Sequence, residues 1–186
     1  MPEYLFPGVY VEEVDRFLRK VGVSNVDEAM RNSLSAALQR NKVYETSASW
    51  TDRRAFRQTW AGLIRTAAEA YTQPVADGDH CTTIERISQD LSVRFGRHLI
   101  GGKLTFGTSQ KALNLYLKFL WRLGHIGPPP HCPVDRTVLD EVRLTGSWMG
   151  CDSRDQYMTW ITAARRLAGN RTLADWEYAL WNARDP

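Results

Sequence analysis

Between Ser109 and Leu123 the chain is apolar at positions 112, 113, 115, 116, 117, 119, 120, 121 and 123, leaving a narrow polar line at Lys111, Asn114, Lys118 and Arg122. A helix so apolar around its circumference needs cover on most sides, so this segment is expected to be the central helix of the fold. Helical periodicity recurs along nearly the whole chain, and the alternation of a strand with hairpin turns is missing, which predicts an all-α fold. Val9 to Lys20 forms the first helix. A second starts at Ser24-Asn25 and runs to about Arg40, and Thr51-Asp-Arg-Arg54 opens a third that continues to Tyr71. Pro74 to Asp79, with Gly78, reads as a loop. Thr82-Thr-Ile-Glu85 has capping-box spacing for a fourth helix stopping near Gly96, and His98 to Lys103 is expected as a short helix broken by Gly101-Gly102. Gly124 ends the central helix. Gly127-Pro-Pro-Pro130 then forms a stiff connection, and Asp135 caps the next helix. Ser153 caps a helix ending near Gly169-Asn170, and Thr172 to Asp175 caps the last, which carries Trp176, Tyr178 and Trp181.

Composition narrows the class. With 186 residues and 43% hydrophobic content the chain can bury one substantial core, so residues 1–186 are expected to form a single helical unit without disulfides or metal. Cys81, Cys132 and Cys151 are odd in number and widely spaced, which fits reduced thiols and no zinc or disulfide framework. No segment approaches the length of apolar residues that a membrane span needs, and the first residues lack the pattern of a secretion signal, so a cytoplasmic protein with no membrane partner is expected. The net charge of +3 permits nucleic-acid binding without requiring it. Of the 24 basic residues only Lys20, Lys42, Lys103, Lys111 and Lys118 are lysines, and the arginine excess suits phosphate as well as ordinary surface ion pairs.

Candidate chemistry gathers around the central helix. Phe106-Gly107-Thr108-Ser109-Gln110 reads either as a simple helix-initiating turn or as a phosphate seat, because a helix N-terminus offers unpaired N–H groups and a positive dipole end. Lys111 has three readings: a nucleophile in its neutral form, a phosphate contact, or a solvated member of the polar line. Asp135 reads as an N-cap, and a carboxylate so fixed stays ionised. His131 and Cys132 do not make a metal site by themselves. His131 reads as a satisfied loop histidine that could face the same cleft as Asp135. Trp148 and Trp160 fall in the C-terminal half, whereas Trp121 is expected to be core.

In order and spacing, the turn at 106–110, Lys111, Asn114 and Pro133-Val-Asp135 resemble the signature region of the helix-hairpin-helix DNA glycosylase superfamily, which includes endonuclease III-like and 8-oxoguanine glycosylase-like enzymes. The resemblance covers about 40 residues, with the hairpin and catalytic segment at about 98–143. It implies a compact multi-helix fold and a grip on DNA phosphate through Lys103, Gly107, Thr108, Ser109, Gln110 and Arg136. It further implies catalysis by Asp135, which stabilises the positive charge developing on the sugar as the base leaves, with Lys111 as the nucleophile of a lyase route and a base pocket to which His131, Trp148 and Trp160 contribute. The partner it implies is double-stranded DNA with a flipped modified base, bound by a monomer that needs no cofactor and, in a bacterium, sits at the nucleoid. Two departures stand out. Ser109 occupies a position where the family commonly has glycine, and the lysine-to-aspartate separation of 135 − 111 = 24 is long for compact members.

The function expected is therefore a DNA N-glycosylase, with or without abasic-site lyase activity, serving repair or defence against modified foreign DNA. Two other classes fit the same sequence: a non-catalytic helix-hairpin-helix DNA-binding module, and an all-α protein whose aromatic C-terminal helices dock a partner.

Overall fold

A computed structural model describes residues 17–184 of the chain. The expected helix over Val9 to Lys20 lies outside the described residues except for its last turn, residues 17–20. The architecture is all-α: α1 (Val26–Leu38), α2 (Trp50–Ala68), α3 (Asp77–Phe95), α4 (Phe106–Arg122), α5 (Arg136–Glu141), α6 (Arg154–Ala168) and α7 (Leu173–Arg184). Among the described residues the only extended pairing is an isolated antiparallel bridge between Tyr44 and Leu99.

Local chemistry explains most boundaries. The Asn25 side chain accepts from the Asp27 and Glu28 N–H groups at the start of α1, and Ser49 and Asp52 form a reciprocal capping box on α2. After Ala68 the chain tightens into a 3₁₀ turn, Glu69–Thr72, ahead of Pro74. Two expected boundaries are corrected. The fourth helix begins at Asp77, within the expected loop, because Asp77 and Asp79 complement the dipole of its first turn and Gly78 is tolerated there. The Thr82 and Thr83 hydroxyls donate back to the carbonyls of Gly78 and Asp79, four residues earlier, so they sit inside the helix and cap nothing. The short helix expected at 98–103 is two 3₁₀ turns, Gly96–His98 and Ile100–Gly102, with Gly101 at φ 69°.

The central helix behaves as its composition predicts, with one correction at its start. It begins at Phe106, three residues before Ser109, capped by Thr105, whose Oγ1 accepts from the Thr108 N–H at 3.1 Å. The expected hairpin is thus the first turn of α4, and the element before it is 3₁₀. Every residue of α4 except Leu115 is buried. It packs against α1 and α3, with α2 closing on α3 and α6 on α7.

The polar line of α4 is buried as well, and each member is answered from the C-terminal half. Lys111 pairs with Asp135, Asn114 donates to the Cys132 carbonyl at 3.1 Å, and Lys118 pairs with Glu177 at 2.6 Å. Arg122 lies over the ring of Tyr178, 4.0 Å from its centroid. Lys118 also sits 4.7 Å from the ring centroid of Phe17, and Tyr178 and Trp181 both pack on Phe17. The line is the seam along which residues 131–135 and α7 dock. Trp176 and Tyr178 are accordingly core residues, and the aromatic side chains of α7 pack on Phe17 and the polar line of α4. No helix among the described residues is long and apolar enough to cross a membrane.

Candidate functional site

Asp135 ends the extended segment after the prolines and caps α5, its Oδ1 accepting from the N–H groups of Thr137 at 2.9 Å and Val138 at 3.3 Å. Its other oxygen, Oδ2, takes Lys111 Nζ at 2.6 Å. The two side chains meet from opposite elements at the edge of the core, 10% exposed for Lys111 and 31% for Asp135. Burial pushes the Asp135 carboxyl up, but Lys111 and the N–H groups of Val138 and Thr137 together hold it below the ordinary carboxylate value, so it is ionised at neutral pH.

Three consecutive inward positions of α4 hold this segment. Gln110 clamps the backbone of Val134 on both sides, donating from Nε2 to its carbonyl at 2.6 Å and accepting its N–H at Oε1 at 3.1 Å. Asn114 reaches Cys132, and Lys111 reaches Asp135. The register of residues 132–135 is therefore written by three side chains spanning about one turn of the helix, which leaves the carboxylate little freedom to move.

Behind the clamp lies a buried polar chain. Asn114 Nδ2 lies 3.0 Å from Tyr157 Oη, which lies 2.9 Å from His131 Nδ1. His131 Nε2 faces Asp77 Oδ1 at 3.1 Å, and Asp77 is held by both terminal nitrogens of Arg165. With Asn114 donating to Tyr157, the hydroxyl proton points to His131 Nδ1, and the imidazole carries its own proton on Nε2 toward Asp77. Burial lowers His131 to about 4, with Asp77 acting in the opposite direction, and Arg165 holds Asp77 down to about 2. His80, stacked edge-on 4.5 Å from His131, is driven well below the usual histidine value by the same burial. Both imidazoles are neutral at pH 7. His80 Nδ1 contacts Tyr71 Oη at 2.7 Å, while His80 Nε2 and Asn114 Oδ1 lack partners of ordinary hydrogen-bond geometry.

The remaining candidate residues are distributed differently from the expectation. Gly107, Thr108, Ser109 and Gln110 are covered, so their turn presents no phosphate seat at the surface. The Gly107 N–H donates to the Cys151 carbonyl at 2.7 Å, and a Cβ at 107 would be driven into the Trp148 carbonyl. The Thr108 hydroxyl meets Thr105 and Asn41, and Ser109 donates to the Ile84 carbonyl. The segment around Trp148 to Cys151 plugs the helix N-terminus, a cover no local pattern announces. Lys103 is at the surface, paired with Asp152, and Arg136 pairs with Asp140 at 2.8 Å. His131 is a buried network member and Trp160 a core residue, so neither lines an open base pocket; Trp148 is partly buried against the core.

Sequence reasoning missed Asp77, His80, Tyr157 and Arg165, and gave Gln110 a surface role. The polar line on α4 carried a signal for Asn114. Nothing local marked the others: Tyr157 and Arg165 meet partners 26 and 88 residues away, and His80, though bonded to nearby Tyr71, stacks on His131. Among the described residues no group of three or more His, Cys, Asp or Glu is placed to hold a metal ion. No family model matches the chain, and no curated protein and no solved structure matches it significantly.

Proposed function

We propose that the chain is a DNA N-glycosylase in which Asp135 is the catalytic carboxylate and Lys111 the candidate nucleophile. The observation that carries this reading is the 2.6 Å contact between Lys111 Nζ and Asp135 Oδ2, two side chains 24 residues apart brought together at the edge of the core. An ionised carboxylate fixed by two backbone N–H groups stabilises the positive charge that grows on deoxyribose as the base departs. It also accepts a proton from the ammonium beside it. The neutral amine then forms a bond to C1′ as the glycosidic bond breaks, and the base leaves with the electron pair of that bond and takes the proton held by Asp135, which restores the carboxylate. The clamp by Gln110 and Asn114 supports the reading, since it holds the carboxylate rigidly against reorganisation.

The burial of the turn at 107–110 weighs against a phosphate grip through that turn, in this reading and in a non-catalytic module alike. Incubation with duplexes carrying a panel of modified bases is expected to release a base and leave abasic sites, with release lost in Asp135→Asn. Borohydride trapping is expected to capture a covalent adduct that disappears in Lys111→Ala. Absence of abasic sites from every lesion in the panel, bulky modified pyrimidines included, overturns the proposal.

A further inference from the structure

One flank of α2 carries a basic, aromatic track that the candidate site does not use. Trp50, Arg54, Arg57, Gln58, Ala61 and Arg65 recur at intervals that place them on a single stripe of the helix. At its far end the stripe enters a groove of about 550 Å³ between α1 and α2, floored by Met30, Leu34 and Ala61. Arg31 stands on the opposite wall of that groove, and Arg57 and Arg65 belong to the α2 wall. Asp27 is the one acidic side chain in the lining, and Arg65 neutralises it at 2.8 Å. At the near end Trp50 is 69% exposed, an unusual position for an indole, with the Arg54 guanidinium over its ring at 5.3 Å.

We infer that this stripe is a track for a nucleic-acid strand, with Arg31, Arg54 and Arg57 on the phosphates and Trp50 as a stacking platform for a base. Three features favour a strand over a compact anion or an acidic helix. From Trp50 to Arg65 the track spans 15 helical steps, about 22 Å, and a stacked strand carries one phosphate per ~3.4 Å, so about six phosphates pass along it. The cations are arginines, whose planar forks bind phosphate in two-point fashion. The exposed indole lies in line with them, and interleaved aromatic and basic groups are how single strands are held without sequence preference. The identity of the polymer as DNA rests on the proposed function; the track itself does not depend on glycosidic chemistry.

The test is anisotropy of a labelled single-stranded oligodeoxynucleotide titrated with the full chain over a range of salt. The double variant Arg54→Gln/Arg57→Gln is expected to weaken binding about tenfold at low salt and to reduce the log–log salt slope by about 1.4, since each single-strand phosphate contact contributes about 0.7. Trp50→Ala is expected to weaken binding about fivefold or more with the slope unchanged. Gln58→Glu, an exposed site whose change leaves the core intact, is expected to weaken it by repulsion. Asp135→Asn is expected to bind like the parent; a parent that binds the strand yet releases no base from any lesion overturns the proposed reaction and leaves the track standing. Failure of the parent to bind at low salt overturns the inference, as does indifference to all three changes. Capture of an acidic amphipathic peptide in the groove in place of the oligonucleotide overturns it too.

Discussion

Removing one charge of the Lys111–Asp135 pair at a time is expected to give unequal losses of stability, because the two partners have unequal alternatives. In Asp135→Asn the amide still caps α5, since asparagine is a good N-cap. Lys111, 10% exposed, is then left without a counter-charge. Stranding one member of a fully buried pair costs about 3–5 kcal/mol. The 31% accessibility of Asp135 places this case lower, at about 2–3 kcal/mol, or roughly 5–10 °C in Tm for a chain of this size. In Lys111→Met the apolar chain fills the same space while Asp135 keeps two backbone donors and its 31% exposure to solvent, and the loss is expected to be about 1 kcal/mol. The double variant should fall within about 1 kcal/mol of Lys111→Met alone, because no charge is then orphaned. Urea denaturation of the four proteins closes the cycle. Equal and additive losses refute the reasoning, since they mean that each group is satisfied by solvent.

Two further predictions follow from groups away from that pair. His131 and His80 have folded pKa values depressed by burial, so their neutral forms stabilise the fold above the unfolded histidine value near 6.5, and that stability is lost as pH falls from there. For His131, lowered to about 4, the loss is expected between pH 6.5 and 4 and to reach about 3 kcal/mol; Asp77, depressed to about 2, adds a second loss as pH drops below its ordinary 3.8. Denaturation midpoints from pH 7.5 to 3 check both windows, and a flat response down to pH 4 refutes the histidine assignment. Gly107→Ala is expected to cost at least about 2 kcal/mol in denaturant titrations, because its Cβ meets the backbone carbonyl of Trp148, which cannot rotate away. A neutral substitution there would mean that the segment over the helix N-terminus is not closed.

The elements were most legible where one short window contains the whole cause. The apolar circumference of 109–123 announced a covered helix, and Asp135 before Arg-Thr-Val read as a cap and is one. Ser153 read as the cap of α6 in the same way. Boundaries failed where two local signals competed. Thr82-Thr-Ile-Glu85 has capping spacing, but the acidic first turn at Asp77 starts the helix earlier and turns both threonine hydroxyls back onto it. The turn at 106–110 failed for a different reason: whether a helix N-terminus is an anion seat depends on what lies over it, and here the carbonyl of Cys151, 44 residues on, takes the Gly107 N–H.

Taken alone, the chain determined an all-helical fold and its central helix, because helical periodicity and capping are properties of neighbouring residues. It also placed Lys111 in the N-terminal part of the central helix and Asp135 at the cap of the next. The tertiary structure decided that these two side chains meet at 2.6 Å, that the polar line of α4 is a buried docking seam, and that His131 belongs to a chain running from Tyr157 to Arg165. These are pairings between distant segments. A polar side chain on a helix has the same local sequence whether water or a loop many residues away satisfies it, and only the packed fold selects between the two.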